Sequence, residues 1–321
     1  MKYRSFRLLA VLALCGSVLA HSPAPMPDDA DLVVSQVTEH VYVAHGPQEF
    51  PSPQTAGFMN NPGFVVTRDG VVVVDPGSSV QIGRRLLHSI RSVTGKPVIA
   101  VFNTHVHGDH WLGNQAINES YPQAPIYAHR RMLEHVDAGA GDEWIALFSQ
   151  LTAGATDGTE VAAPTIGLEG GEVIPIGGLA FRIHHTGKAH SDNDIMIELP
   201  ADSALFTGDI VTNKRIQSAR PEDGDIFGQI RAVKAALETD SRWYLPGHGQ
   251  SGGREIAEQQ LLFLQRLLGA VQYHYEQGLS DFEMVEPVKK ALSAYRDWYN
   301  FDELGRVIGH VYLKVETMAF E

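Results

Sequence analysis

From Leu32 to Leu245 the apolar residues alternate between short β-type runs and single helical faces; beyond Gly253 only the helical rhythm remains. Leu32–Val37, His40–Ala44, Gly63–Thr67 and Val71–Asp75 read as strands. The unbroken Val71-Val72-Val73-Val74 predicts a strand buried on both faces. Between these runs, residues 46–62 hold four prolines together with Phe50 and Phe58, which predicts a long loop of the kind that often carries function. Ser78–Val93 sets Val80, Ile82, Leu86, Leu87, Ile90 and Val93 near one helical face, and Pro97–Phe102 follows as a buried strand. This strand, helix, strand order predicts a layered α/β fold. A helix is expected over Arg130–Leu151. Strands are expected around Val173 and over Ala180–His184, Asp194–Leu199 and Ala204–Phe206, then a helix over Ile226–Leu237 and a short strand at Trp243–Leu245. In the tail, Leu261, Leu262, Leu264, Leu267 and Leu268 begin a long amphipathic helix. Helices over Asp281–Tyr299 and Leu304–Val315 complete an extension packed on the core or on another subunit.

The first twenty residues follow neither rhythm. Lys2, Arg4 and Arg7 precede an apolar run from Leu8 to Ala20, the pattern of a secretory signal peptide. A run of that length is too short to span a bilayer, so no stable membrane insertion is expected after cleavage. Residues 1–20 are thus expected to be a signal peptide, 21–253 a catalytic domain and 254–321 the helical extension, with the mature protein periplasmic or secreted. Cleavage removes Cys15, the one cysteine, so the fold relies on its core rather than on disulfides. Losing three cations and no acid also takes the formal charge from −13 to −16, a surface that repels nucleic acid. The expected partner is a small-molecule substrate.

The chemistry concentrates in Thr104-His105-Val106-His107-Gly108-Asp109-His110, directly after a predicted buried strand. In extended chain, residues two apart share a side, so His105 and His107 can grip one ion. A turn at Gly108 lets Asp109 and His110 swing towards a second position. Imidazole with carboxylate suits zinc, while iron and manganese accept similar sets. Structural zinc sites are usually closed and rich in cysteine, which the mature chain lacks, so a catalytic site is favoured.

These residues strongly resemble the metallo-β-lactamase superfamily, whose H-x-H-x-D-H motif is complete from His105 to His110. His190-Ser191-Asp192-Asn193, Phe206-Thr207-Gly208-Asp209 and Pro246-Gly247-His248-Gly249 resemble the later ligand motifs, and Val74-Asp75-Pro76-Gly77 the early Asp-Pro-Gly turn. The resemblance covers about residues 41–253. It implies an α/β fold, a four-layer αββα sandwich here carrying the C-terminal helical extension. It also implies two Zn2+ per chain, with Fe or Mn as alternatives. One ion would take His105, His107 and His190, the other Asp109, His110 and His248, with Asp209 shared. His184 and His185 lack the motif context and read as strand-end residues.

A water between two divalent ions becomes a nucleophile near neutral pH, so hydrolysis of a carbonyl-centred C–N or C–O bond is expected, with Asp109 orienting it. Export makes β-lactams the first guess for substrate, whereas an aspartate at position 209 looks more like glyoxalase-II-type thioesterases and lactonases. An iron-dependent sulfur dioxygenase shares parts of the motif. Lys214 and Arg215 lie roughly where β-lactamases place a cation for a substrate carboxylate. Lys214 is taken as that anchor, with a solvated loop lysine as the plain alternative.

Overall fold

The computed structural model describes residues 31–217 and 223–320; the leader expected over 1–20 lies outside them. The chain opens with β1 (Val34–Gln36), β2 (Val41–Ala44), β3 (Gly63–Val66) and β4 (Val71–Val74). Helix α1 (Val80–Val93), strand β5 (Val98–Phe102) and the short helices α2 (Gly108–Trp111) and α3 (Asn114–Ser120) follow. Next come β6 (Ile126–His129), α4 (Arg130–Asp137), α5 (Ala140–Leu151) and β7 (Ile166–Leu168). The second half holds β8 (Val173–Ile176), β9 (Leu179–His184), β10 (Met196–Leu199), β11 (Ala204–Gly208), α6 (Ile226–Leu237) and β12 (Trp243–Pro246). Helices α7 (Arg254–Glu276), α8 (Val285–Ala291) and α9 (Leu304–Phe320) end it.

Strands β1 to β7 form one sheet in chain order, antiparallel as far as β4 and parallel from β4 to β7. The other sheet runs β12-β11-β10-β9-β8, with β11 and β12 parallel. The two sheets face each other, and Val72, Val74 and Phe102 meet Phe181, Ile197 and Phe206 between them. On the outer side of the first sheet, Val71 and Val73 pack with Ile82, Leu86 and Ile90 of α1. The valine run is therefore buried on both faces, as its composition predicts. Helices α6 to α9 share a core with Met196 and Leu205 of the second sheet, which completes the αββα sandwich.

Three local expectations need correcting. The helix expected over residues 130–151 breaks at Gly139, whose φ of 105° leaves the helical region and separates α4 from α5. The segment 281–299 is helical only over Val285–Ala291, followed by a single 3₁₀ turn. Strands β6 and β7, four and three residues long, are too short for their periodicity to register in sequence.

Candidate metal centre

All seven expected ligands converge at the ends of strands. His105 and His107 follow β5, Asp109 and His110 open α2, and His190 sits in the β9–β10 loop. Asp209 and His248 come just after β11 and β12. Burial is nearly complete for His105, Asp109, His110, Asp209 and His248. Their ligand atoms form three overlapping groups, each within 4.8 Å: His105, His107 and His190; His105, His110 and Asp209; Asp109, His110 and His248.

The chain holds four of the five imidazoles by their other nitrogen. His110 Nδ1–H donates to Asp75 Oδ2 at 2.8 Å, and His248 Nδ1–H donates to the Met59 carbonyl at 2.8 Å. Thr104 Oγ1 spends its proton on Asp75 Oδ2 at 2.7 Å, so it accepts from His105 Nδ1 at 3.0 Å. His107 is turned the other way, its Nε2–H on Asp223 Oδ2 at 3.2 Å. These bonds fix the tautomers and aim Nε2 of His105, His110 and His248, and Nδ1 of His107, at a common space. Asp75, at the early Asp-Pro-Gly turn, also accepts from Thr104 N at 2.8 Å, so one carboxylate orients two ligand histidines.

Two glycines make this approach feasible. A Cβ on Gly247 would stand 2.1 Å from Asp209 Oδ1, and Gly208 adopts φ 50° with Thr104 Oγ1 only 2.6 Å from where its Cβ would be.

The donor set fits divalent ions. His105 Nε2, His110 Nε2 and Asp209 Oδ1 are buried with no hydrogen-bond partner among the described residues, an expensive state that a metal ion relieves. His107 Nδ1 and His190 Nε2 lie 2.9 Å apart, and His248 Nε2 is 3.1 Å from Asp109 Oδ2. Burial, and then the neighbouring histidines, push His105 well below the ordinary histidine range; burial first also takes His190 down to about 4. Both therefore offer lone pairs at neutral pH. Burial alone would raise Asp109 and Asp209, but His110 and His248 outweigh it and hold both carboxylates ionised. Burial likewise opposes charge on His110, yet Asp109, Asp209 and Asp75 raise it well above its usual value. Such a field rewards positive charge at the place where a cation would sit.

The family signature of the metallo-beta-lactamase superfamily matches residues 55–248, well over half of the chain. The chain belongs to the metallo-beta-lactamase superfamily. A linear primary-alkylsulfatase of Pseudomonas sp. is 26% identical over 258 residues, covering 69% of this chain and 48% of the relative. Among solved structures, a metallo-beta-lactamase from Pontibacter korlensis superposes with a TM-score of 0.59 at 18% identity, covering 73% of this chain and 99% of that one. A stereoselective inverting sec-alkylsulfatase from Pseudomonas sp. gives 0.66 at 18% identity, covering 88% and 50%. The chain thus spans about half the length of these alkylsulfatases, and the likeness to the solved structures is one of fold.

Around the superfamily centre lies an open cleft of about 190 Å³, walled by Phe50, Trp144 and Phe148 and floored by Asp109, Asp209 and His248. The two phenylalanines of the proline-rich loop part company here. Phe50 is 51% exposed at the cleft, while Phe58 is buried in the core outside the first sheet. Lys214, expected as the anion anchor, is exposed, has φ 53° and does not line the cleft. Arg215 lines it instead, only 4% exposed, with Nη1 unpartnered among the described residues. The C-terminal extension props it there. Tyr299 N donates to the Lys214 carbonyl and Ile216 N to the Tyr299 carbonyl, both at 2.9 Å, and the Arg215 guanidinium lies 4.7 Å from the Tyr299 ring centre. Burial lowers the Arg215 pKa, and the charges of Asp209 and Asp109 counter that fall. The sequence could not tell which of the two neighbouring cations lines the cleft, because Tyr299, which braces Arg215, lies 84 positions away.

His184 and His185 keep structural roles. His184 ends β9 and donates to Glu198 Oε2 at 2.8 Å; His185 donates to the Asp194 carbonyl at 2.8 Å and stacks on His129.

Proposed function

We propose that this metal-dependent hydrolase is an exported zinc enzyme that cleaves carbonyl-centred C–N or C–O bonds in anionic small molecules, with β-lactams as the first substrates to try. The observation that carries the reading is the seven-residue centre with buried Arg215, its Nη1 without a hydrogen-bond partner among the described residues, on the same cleft. When bound, two divalent ions would acidify a water and polarise the scissile carbonyl. The chain's own residues do the rest. Asp109 and Asp209 balance the charge of the centre, and Asp109 accepts from the water and orients it. Arg215 binds a carboxylate or a similar anion through paired N–H groups. Phe50, Trp144 and Phe148 shield the cleft and strengthen the electrostatic interactions inside it.

A second reading, hydrolysis of a sulfate ester, draws on the 26% identity with the linear primary-alkylsulfatase across 69% of the chain. Thioester or lactone hydrolysis is a further alternative, supported by an aspartate at position 209, and an iron-dependent sulfur dioxygenase is the last. A hydrolysis screen of the zinc-loaded mature protein on a penicillin, a lactone, a thioester and an alkyl sulfate separates these. Turnover of the sulfate alone would overturn the carbonyl reading.

Export rests on the pattern of Lys2 to Ala20. Mass spectrometry of the periplasmic or secreted protein is expected to find a new N-terminus at about His21. Intact Met1 on soluble cytoplasmic protein would overturn it. Among the described residues no helix is long and apolar enough to cross a membrane.

A further inference from the structure

We infer that the cavity beneath the C-terminal helices is a pocket for an apolar chain on the substrate. It deepens the hydrolase reading and rests on it for where the reactive end of that chain lies. The cavity measures about 80 Å³, and its inner end is formed by His107 and His190, two of the metal-centre residues. Gln217 borders both this cavity and the open cleft, so the two spaces adjoin at the centre. Ile216, Phe263, Leu264, Leu267, Val307 and Val311, most of them from α7 and α9, make its apolar wall, and polar side chains such as Gln229 and Lys314 border the rest.

Size and chemistry narrow the occupant. A water-sized group needs about 10–15 Å³ of such space, so the volume takes roughly five or more such groups, and the apolar side chains suit carbon. A simple packing gap would be cut off from the reaction centre; this one opens on two of its histidines. The extension would then set chain-length preference, with the hydrolysed group held at the centre.

The test is calorimetric binding of straight-chain carboxylates, acetate to decanoate, to the zinc-loaded full-length protein. Affinity is expected to rise about fourfold per methylene until the pocket is filled, then level off. Val307→Trp is expected to cut the decanoate-to-acetate affinity ratio at least tenfold; should that variant not fold, the wild-type series decides alone. Two ester series, methyl esters of lengthening acids and acetates of lengthening alcohols, locate the chain: kcat/KM should climb in one of them. Affinity flat across the carboxylates would overturn the pocket even if short esters are hydrolysed, and so would ester hydrolysis that climbs in neither series. Chain-dependent binding by a protein that hydrolyses neither esters nor lactams would leave the pocket standing and overturn the carbonyl-hydrolase reading.

Discussion

Asp109 and Arg215 line one cleft but are expected to act at different stages. Asp109 Oδ2 lies 3.1 Å from His248 Nε2 and 3.4 Å from His110 Nε2, inside the ligand cage. An amide there is a poorer ligand and orients water less well, so Asp109→Asn acts on the transition state. The expected result is a fall of at least ~100-fold in kcat and kcat/KM together. A change confined to KM in steady-state kinetics would contradict that role. In the proposed reading Arg215 would hold a substrate anion both before and during reaction. Charged hydrogen bonds of this kind contribute about 1.5–3 kcal/mol, so Arg215→Ala is expected to raise KM by about 10- to 100-fold for an acid but not for its methyl ester. Lys214→Ala is expected to leave both unchanged. The reverse pattern would return the anchoring role to Lys214. Arg215→Lys, with a thermal melt, separates lost charge from lost packing on Tyr299.

At the scale of elements, helices α7 to α9 are part of the core. Phe263, Leu264 and Leu267 of α7, with Ile308 and Val311 of α9, share one buried cluster with Leu205 and Tyr244 of the second sheet. Removing residues 254–321 would expose that face, and a contiguous apolar surface of this kind drives aggregation. The truncated chain is expected to be insoluble on expression. A soluble truncated protein that still binds metal would make the extension an independent appendage. Much of this architecture was legible because burial on both faces leaves a plain signature, as in Val71–Val74. The ligand motifs were legible because each closes a strand with residue types that bind metal. Other features depend on contacts distant in the chain. Asp223 holds His107, the Met59 carbonyl holds His248, and Tyr299 braces Arg215. Strands β6 and β7 draw their stability from parallel neighbours rather than from a pattern of their own.

For the whole molecule, the two sheets bring residues 105–110, 190, 209 and 248 to one edge, so a chain with no cysteine in its described residues builds its centre from histidine and aspartate alone. The three ligand groups overlap through His105 and His110, and the proposed reading fills them with a pair of ions. Elemental analysis of the purified, fully active mature protein tests this most directly. The account predicts close to two divalent ions per chain, with His107→Ala losing at least one. A single tightly held ion in fully active wild-type protein would contradict it.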